Sequence, residues 1–187
     1  MILKNTLKMK LINIFFLMFS FFNSNVYSQS ESFYDLNIKS IEGDNISFNS
    51  FKGKNVLIVN VASYCGFTRQ YKALEQLYVK YKNDLVVIGV PCNQFGGQEP
   101  QDEKKIQEFC EKNYGVSFIL TKKVDVKGSN QHPIYKWLTE KKLNGFSNST
   151  VKWNFQKYFI NKNGKLINYF LSTTSPISSK ITSLIEQ

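Results

Sequence analysis

The chain has 187 residues, with 24 lysines and arginines against 14 acids and a formal charge of +10. Arg69 is the only arginine and the lysines are scattered, which argues against nucleic acid as a partner and for a solvated lysine surface. Three cysteines and one histidine, His132, form no even-numbered disulfide framework, and a Cys₃His zinc site would have to draw on four scattered residues.

Residues 1–28 read as a secretory signal peptide. Lys4, Lys8 and Lys10 precede the apolar block "LINIFFLMFSFF", and Val26 and Ser28 stand before the cleavage point at Gln29. The block is shorter than the roughly 20 residues a membrane span needs. An exported protein is expected, with no membrane insertion after cleavage; the alternative is an uncleaved N-terminal anchor. Residues 29–187 then form one domain, with no internal repeat or linker.

In chain order, "SFYDLNIKSIEGDNISFNSFKGK" alternates apolar and polar residues around Glu42–Gly43–Asp44 and predicts a β-hairpin. "NVLIVNVAS", from Asn55, is a continuous apolar run, as a strand buried on both faces requires. From Thr68, helical spacing aligns Tyr71, Leu74, Leu77, Tyr78 and Tyr81. "LVVIGVP" is a second buried strand ending at Pro91. "QDEKKIQEFCEKNYG" starts with acids and ends at Gly115, as a helix should, and "HPIYKWLTEKK" predicts another with Pro133 in its first turn. "NFQKYFINKNGKLINYF" predicts a hairpin turning at Asn163–Gly164, and "PISSKITSLIEQ" a closing helix. This order gives an α/β fold of thioredoxin-like type: a central mixed sheet, helices on both faces and an N-terminal β-hairpin.

Cys65 falls between the first long strand and its helix. A thiol there meets unpaired backbone N–H groups and the positive end of the helix dipole, which favour the thiolate. From position alone, a buried cysteine acting as a small apolar residue fits equally well. Cysteine–histidine acyl transfer needs an imidazole base, whereas His132 sits at an expected helix start. A C-x-x-C exchange pair is ruled out locally because Thr68 stands where the second sulfur would be. Attack on a peroxide O–O bond needs neither, only donors that stabilise the anion. Gln98, in "PCNQFGGQEP", and Trp153 and Asn154, in "VKWNF", offer such N–H groups.

The stretches "NVASYCGFT", "PCNQFGGQEP", "FCEKNYGVSF", "VDVKGSNQHPIYKWL" and "VKWNFQKYFI" resemble the glutathione peroxidase family in order and spacing, from about Ser32 to the C-terminus. The resemblance implies a catalytic tetrad of Cys65, Gln98, Trp153 and Asn154, with Cys65 as the nucleophile that reduces hydrogen peroxide and organic hydroperoxides. It also implies that Cys110 resolves the resulting sulfenic acid as a disulfide, which a thioredoxin-like reductant reopens. Cys92 is then structural. A disulfide needs Cα atoms within about 7 Å, so the helix around Ile106–Lys112 is expected to unwind in turnover. Glutathione remains open as the reductant, although a chain with one arginine lacks the guanidinium forks that best hold carboxylates. No long insertion separates His132 from Trp153, and a monomer without metal or cofactor is expected. Gln101 after "QEP", where the family commonly has glycine, and "INYFLSTTSP", without the arginine often found there, depart from the family pattern at substrate contacts. The rival readings are a peroxide-sensing redox relay and an exported disulfide-exchange protein.

Overall fold

The computed structural model describes residues 32–187, so the expected signal peptide lies outside the described residues. The chain enters as the predicted hairpin, β1 (Asn37–Lys39) paired antiparallel with β2 (Asn45–Ser47). β3 (Asn55–Val61) follows, then helix α1 (Gln70–Tyr81) and strand β4 (Leu85–Pro91). Helix α2 (Glu103–Tyr114) is capped by Asp102, whose carboxylate accepts from Lys105 N at 2.9 Å, and stops at Gly115, where φ is +64°. Beyond it come β5 (Ile119–Leu120), α3 (Pro133–Thr139), α4 (Lys141–Asn144), β6 (Lys157–Ile160), β7 (Leu166–Phe170) and α5 (Ser179–Ile185).

The main sheet has the order β5-β4-β3-β6-β7. β3 lies parallel to β4, in register from Asn55–Leu85 to Val61–Pro91, and antiparallel to β6. Every residue of β3 and β4 is buried, as their unbroken apolar runs require. The two-residue period of a strand divides that burial between the faces. Leu57, Val59, Val61, Leu85 and Val87 pack with Tyr71 and Leu74 of α1, Ile106 and Cys110 of α2 and Ile181 of α5. Val56, Ile58, Val86, Ile88 and Val90 pack on the other face with Ile134, Tyr135 and Leu138 of α3 and Ile38 of the hairpin. Each aliphatic side chain so buried contributes about 1.5–3 kcal/mol. The expected mixed sheet with helices on both faces is therefore present, and its two central strands aim their C-terminal ends at one edge.

Three details differ from the sequence reading. β5 was not expected, because two residues are too short to show a period. The helix expected over residues 133–142 breaks at Glu140, which is extended. There Ser149 N takes the Thr139 carbonyl and Asn148 Oδ1 accepts from Lys141 N, so a distant loop supplies the bonds a continuous helix would have made. The third concerns α1, which starts at Gln70 rather than Thr68.

Candidate active site

That late start alters the surroundings of Cys65. The residue does not sit in the first turn of α1; it lies in a chain of tight turns between β3 and the helix. Thr68 closes the first of them: its hydroxyl accepts from Cys65 N at 3.0 Å and donates to Ala62 O at 2.8 Å, while its own N–H bonds Cys65 O at 3.0 Å. The side chain that replaces a second sulfur thus pins the loop on both sides of the first. Phe67 N donates to Cys65 Sγ at 3.4 Å. Cys65 itself is 8% exposed.

Three other segments reach the same edge. The loop after β4 passes Gly96 and Gly97, with φ of +67° and +65°, a left-handed pair that glycine adopts without a Cβ penalty. This turn brings Gln98 back against the Cys65 loop, where Gln98 O accepts from Tyr64 N at 3.1 Å. Lys123 Nζ fastens the far end of the loop, donating to Glu99 O and Gln101 O at 3.1 and 2.7 Å.

The third segment leads into β6. Asn60, in β3, donates from Nδ2 to Trp153 O at 3.0 Å and accepts from Phe155 N at 2.6 Å. Phe155 has φ of +64°, a conformation costly for a residue with a Cβ. It is held there by full burial and by an edge-on contact with Tyr71, ring centroids 5.4 Å apart. Bracketed in this way, Asn154 turns inward and donates to Gln98 Oε1 at 3.0 Å, while its carbonyl accepts from Ser172 Oγ at 2.6 Å. Lys157, fully buried in β6, ties the last segment in: its Nζ donates to Gln70 Oε1, Thr174 O and Ser172 O at 2.5, 2.7 and 3.3 Å, and burial lowers its pKa to about 7.

Of the predicted residues, Gln98 and Asn154 are therefore bonded to each other and flank the Cys65 loop. Trp153 is 39% exposed, its ring packed on Phe95 with centroids 5.7 Å apart. At rest, among the described residues, the hydrogen bond to Cys65 Sγ comes from Phe67 N and none comes from Gln98, Trp153 or Asn154. Cys110 points into the core from α2 and is fully buried; burial pushes its thiol up to about 12, an effect the facing Tyr71 hydroxyl partly offsets. Cys65, Cys92 and Cys110 are free thiols. Cys92 lies in the opposite core, its thiol raised by burial. His132 caps α3, accepting from Ile134 N at 3.3 Å, and burial lowers its pKa.

Sequence reasoning missed Thr68 as a clamp, Asn60 as an anchor and two buried charged side chains, Glu99 and Lys157. For Lys157 there was a signal, a lone charge at the head of the apolar run "KYFI". For Glu99 there was none.

Comparison with known proteins agrees with this layout. The glutathione peroxidase family model matches residues 33–139. Glutathione peroxidase-like peroxiredoxin 2 of Saccharomyces cerevisiae is 49% identical over 83% of this chain and 98% of its own length. The glutathione peroxidase homolog BsaA of Bacillus subtilis is 43% identical over 83% of this chain and 99% of its own. The apo crystal structure of Trgpx superposes with a TM-score of 0.65 at 39% identity, covering 84% of this chain and 97% of that one.

Proposed function

Since the chain belongs to the glutathione peroxidase family and is a peroxidase, we propose that Cys65 is its nucleophile and Cys110 its resolving thiol. The sulfur of Cys65 attacks one oxygen of a hydroperoxide. The O–O bond breaks, the alkoxide or hydroxide leaves and takes up a proton, and Cys65 becomes a sulfenic acid. The Cys110 sulfur then displaces the sulfenic hydroxyl, which departs as water with the Cys110 proton, and a disulfide remains. A thioredoxin-like dithiol, or glutathione, returns both cysteines to thiols.

The bond between Asn154 and Gln98 carries this reading. With Gln98 Oε1 occupied by Asn154, the Gln98 amide is oriented and its N–H₂ is left to donate. Its backbone is fixed to the residue preceding Cys65. Catalytic hydrogen bonds are often long in an unliganded site and tighten only with substrate or charge present, so the Gln98 amide, steered by Asn154, and the Trp153 indole act on the sulfur and the departing oxygen as the reaction proceeds. Export by the N-terminal leader, a monomeric state and a role in resisting oxidative stress complete the proposal.

Peroxide consumption with thioredoxin or glutathione, using the protein and its Cys65→Ser and Cys110→Ser variants, tests it. Cys65→Ser abolishes turnover with either donor. Cys110→Ser reacts with one equivalent of peroxide and then stops with thioredoxin; full thioredoxin-supported turnover in that variant overturns the resolving role.

A further inference from the structure

Glu99 is a fully buried carboxylate that the reaction above does not use. It stands four residues before α2 and beneath the loop that carries Cys65. Its Oε2 accepts from Ser63 Oγ at 3.1 Å, while Oε1 is buried with no hydrogen-bond partner among the described residues. Among the described residues no lysine or arginine forms an ion pair with it: Lys123, whose charge favours the carboxylate, spends its Nζ on the Glu99 and Gln101 carbonyls. An ionised carboxylate with one bare oxygen and no cation is costly in the interior. The protonated form suits the site, and burial accordingly pushes this carboxyl up to about 7.

Ser63, bonded to Glu99, follows β3 beside Tyr64, whose ring lies 6.3 Å from Phe109 of α2. Tyr71 of α1 and Cys110 of α2 share one buried cluster, Lys123 follows β5 and bonds Glu99 O, and all four of Ser63, Tyr71, Cys110 and Lys123 interact with the carboxyl. Lys123 favours the carboxylate, while a carboxylate here would act against ionisation of both Tyr71 and Cys110. Among the described residues the Tyr71 hydroxyl makes no well-formed hydrogen bond, although it faces the Cys110 thiol. Beside the resolving helix, the buried layer therefore holds two polar atoms, Glu99 Oε1 and Tyr71 Oη, without a hydrogen-bond partner among the described residues.

We propose that Glu99 is a positioning residue for the resolving step: protonated, it keeps α2 packed with Cys110 inside; ionised, it favours opening of α2 and release of Cys110. This rests on Cys110 as the resolving thiol. When α2 opens, Glu99 meets water and returns to its ordinary value of 4.5, below its value of about 7 in the packed state. Between these values the open state binds fewer protons, so opening becomes easier as pH rises, by at most tenfold per pH unit, and levels off above 7.

The measurement uses reduced full-length protein carrying Cys65→Ser and needs no peroxide. Alkylation of Cys110 and Cys92 is followed by peptide mass between pH 5 and 8.5, with and without Glu99→Gln. Dividing the rates at each pH cancels the intrinsic ionisation of the thiol. For Cys110 the ratio of glutamate to glutamine protein rises at least tenfold from pH 5 to 7.5 and then flattens. For Cys92, on the other face of the sheet, it stays level and labelling is slower. Ser63→Ala, which removes a bond to the carboxylate, moves the rise to higher pH and serves if Glu99→Gln does not fold. A flat ratio for Cys110, or a Cys92 ratio that rises with it, as global unfolding would give, overturns the proposal. Failure of the resolving role appears instead as persistent thioredoxin-supported turnover in Cys110→Ser, which this labelling does not involve.

Discussion

Asn154 Nδ2 lies 3.0 Å from Gln98 Oε1, joining two side chains 56 positions apart in sequence at the C-terminal ends of the central strands. One amide orients the other, and the pair acts as a unit. Asn154→Ala should slow oxidation of Cys65 by about 10–100-fold, the loss of one oriented donor and the release of another. Gln98→Ala should cost a similar factor, and the double variant little more than either alone. Loss of the Cys65 thiol after mixing with hydrogen peroxide measures all three.

Thr68 makes two side-chain hydrogen bonds that close the Cys65 turn. Thr68→Val keeps the shape and removes both, leaving Cys65 N and Ala62 O without their partner. A loss of about 1–3 kcal/mol is expected, read from urea unfolding, with slower peroxide reaction because the sulfur is less firmly placed.

Lys157→Met tests the buried ammonium. Three oxygens converge on Nζ, and only a protonated amine has a hydrogen for each, so these acceptors favour the charge that burial opposes in lowering the pKa to about 7. Methionine fills the volume but leaves Gln70 Oε1 and Thr174 O without their donor, Ser172 O keeping its bond from Gln70 Nε2 at 2.6 Å, so stability should fall by about 3 kcal/mol. Lys157→Gln should recover only part of it. Thermal and urea unfolding of the variants decides the matter.

Gly89 stands in β4 where β5 pairs. A Cβ there would lie 2.8 Å from Leu120 Cδ2 and 3.1 Å from Phe118 Cε2. Gly89→Ala should therefore destabilise the fold by about 1–3 kcal/mol through overpacking, loosening β5 first. Amide exchange in residues 118–121 would report it.

The sequence displayed the frame well and its fastenings poorly. β3 and β4 announced themselves by unbroken apolar runs, and α2 by Asp102 and Gly115 at its ends. β5 left no trace because its two residues owe their form to β4 beside them. The break at Glu140 was invisible since the bonds that compete with the helix come from Asn148 and Ser149, outside the segment. Cys65, Gln98 and Asn154 could be picked out by residue type and family resemblance. Placing Cys65 on a helix start failed because Thr68, read as a missing sulfur, spends its hydroxyl on the turn and delays the helix to Gln70. Glu99 and Lys157 escaped notice for a different reason. Charged residues are read as surface by default, and only the tertiary structure reveals which ones the interior has accepted.

The left-handed backbone at Phe155 sets a condition on anyone who would transplant this chemistry. Asn154 cannot be supplied as a side chain grafted onto a host loop, because its aim depends on a contorted neighbour bolted to the middle strand by Asn60. A borrowed scaffold must bring an antiparallel partner for that strand and the kink at its entrance, or the donor will swing away from the glutamine it is meant to steer.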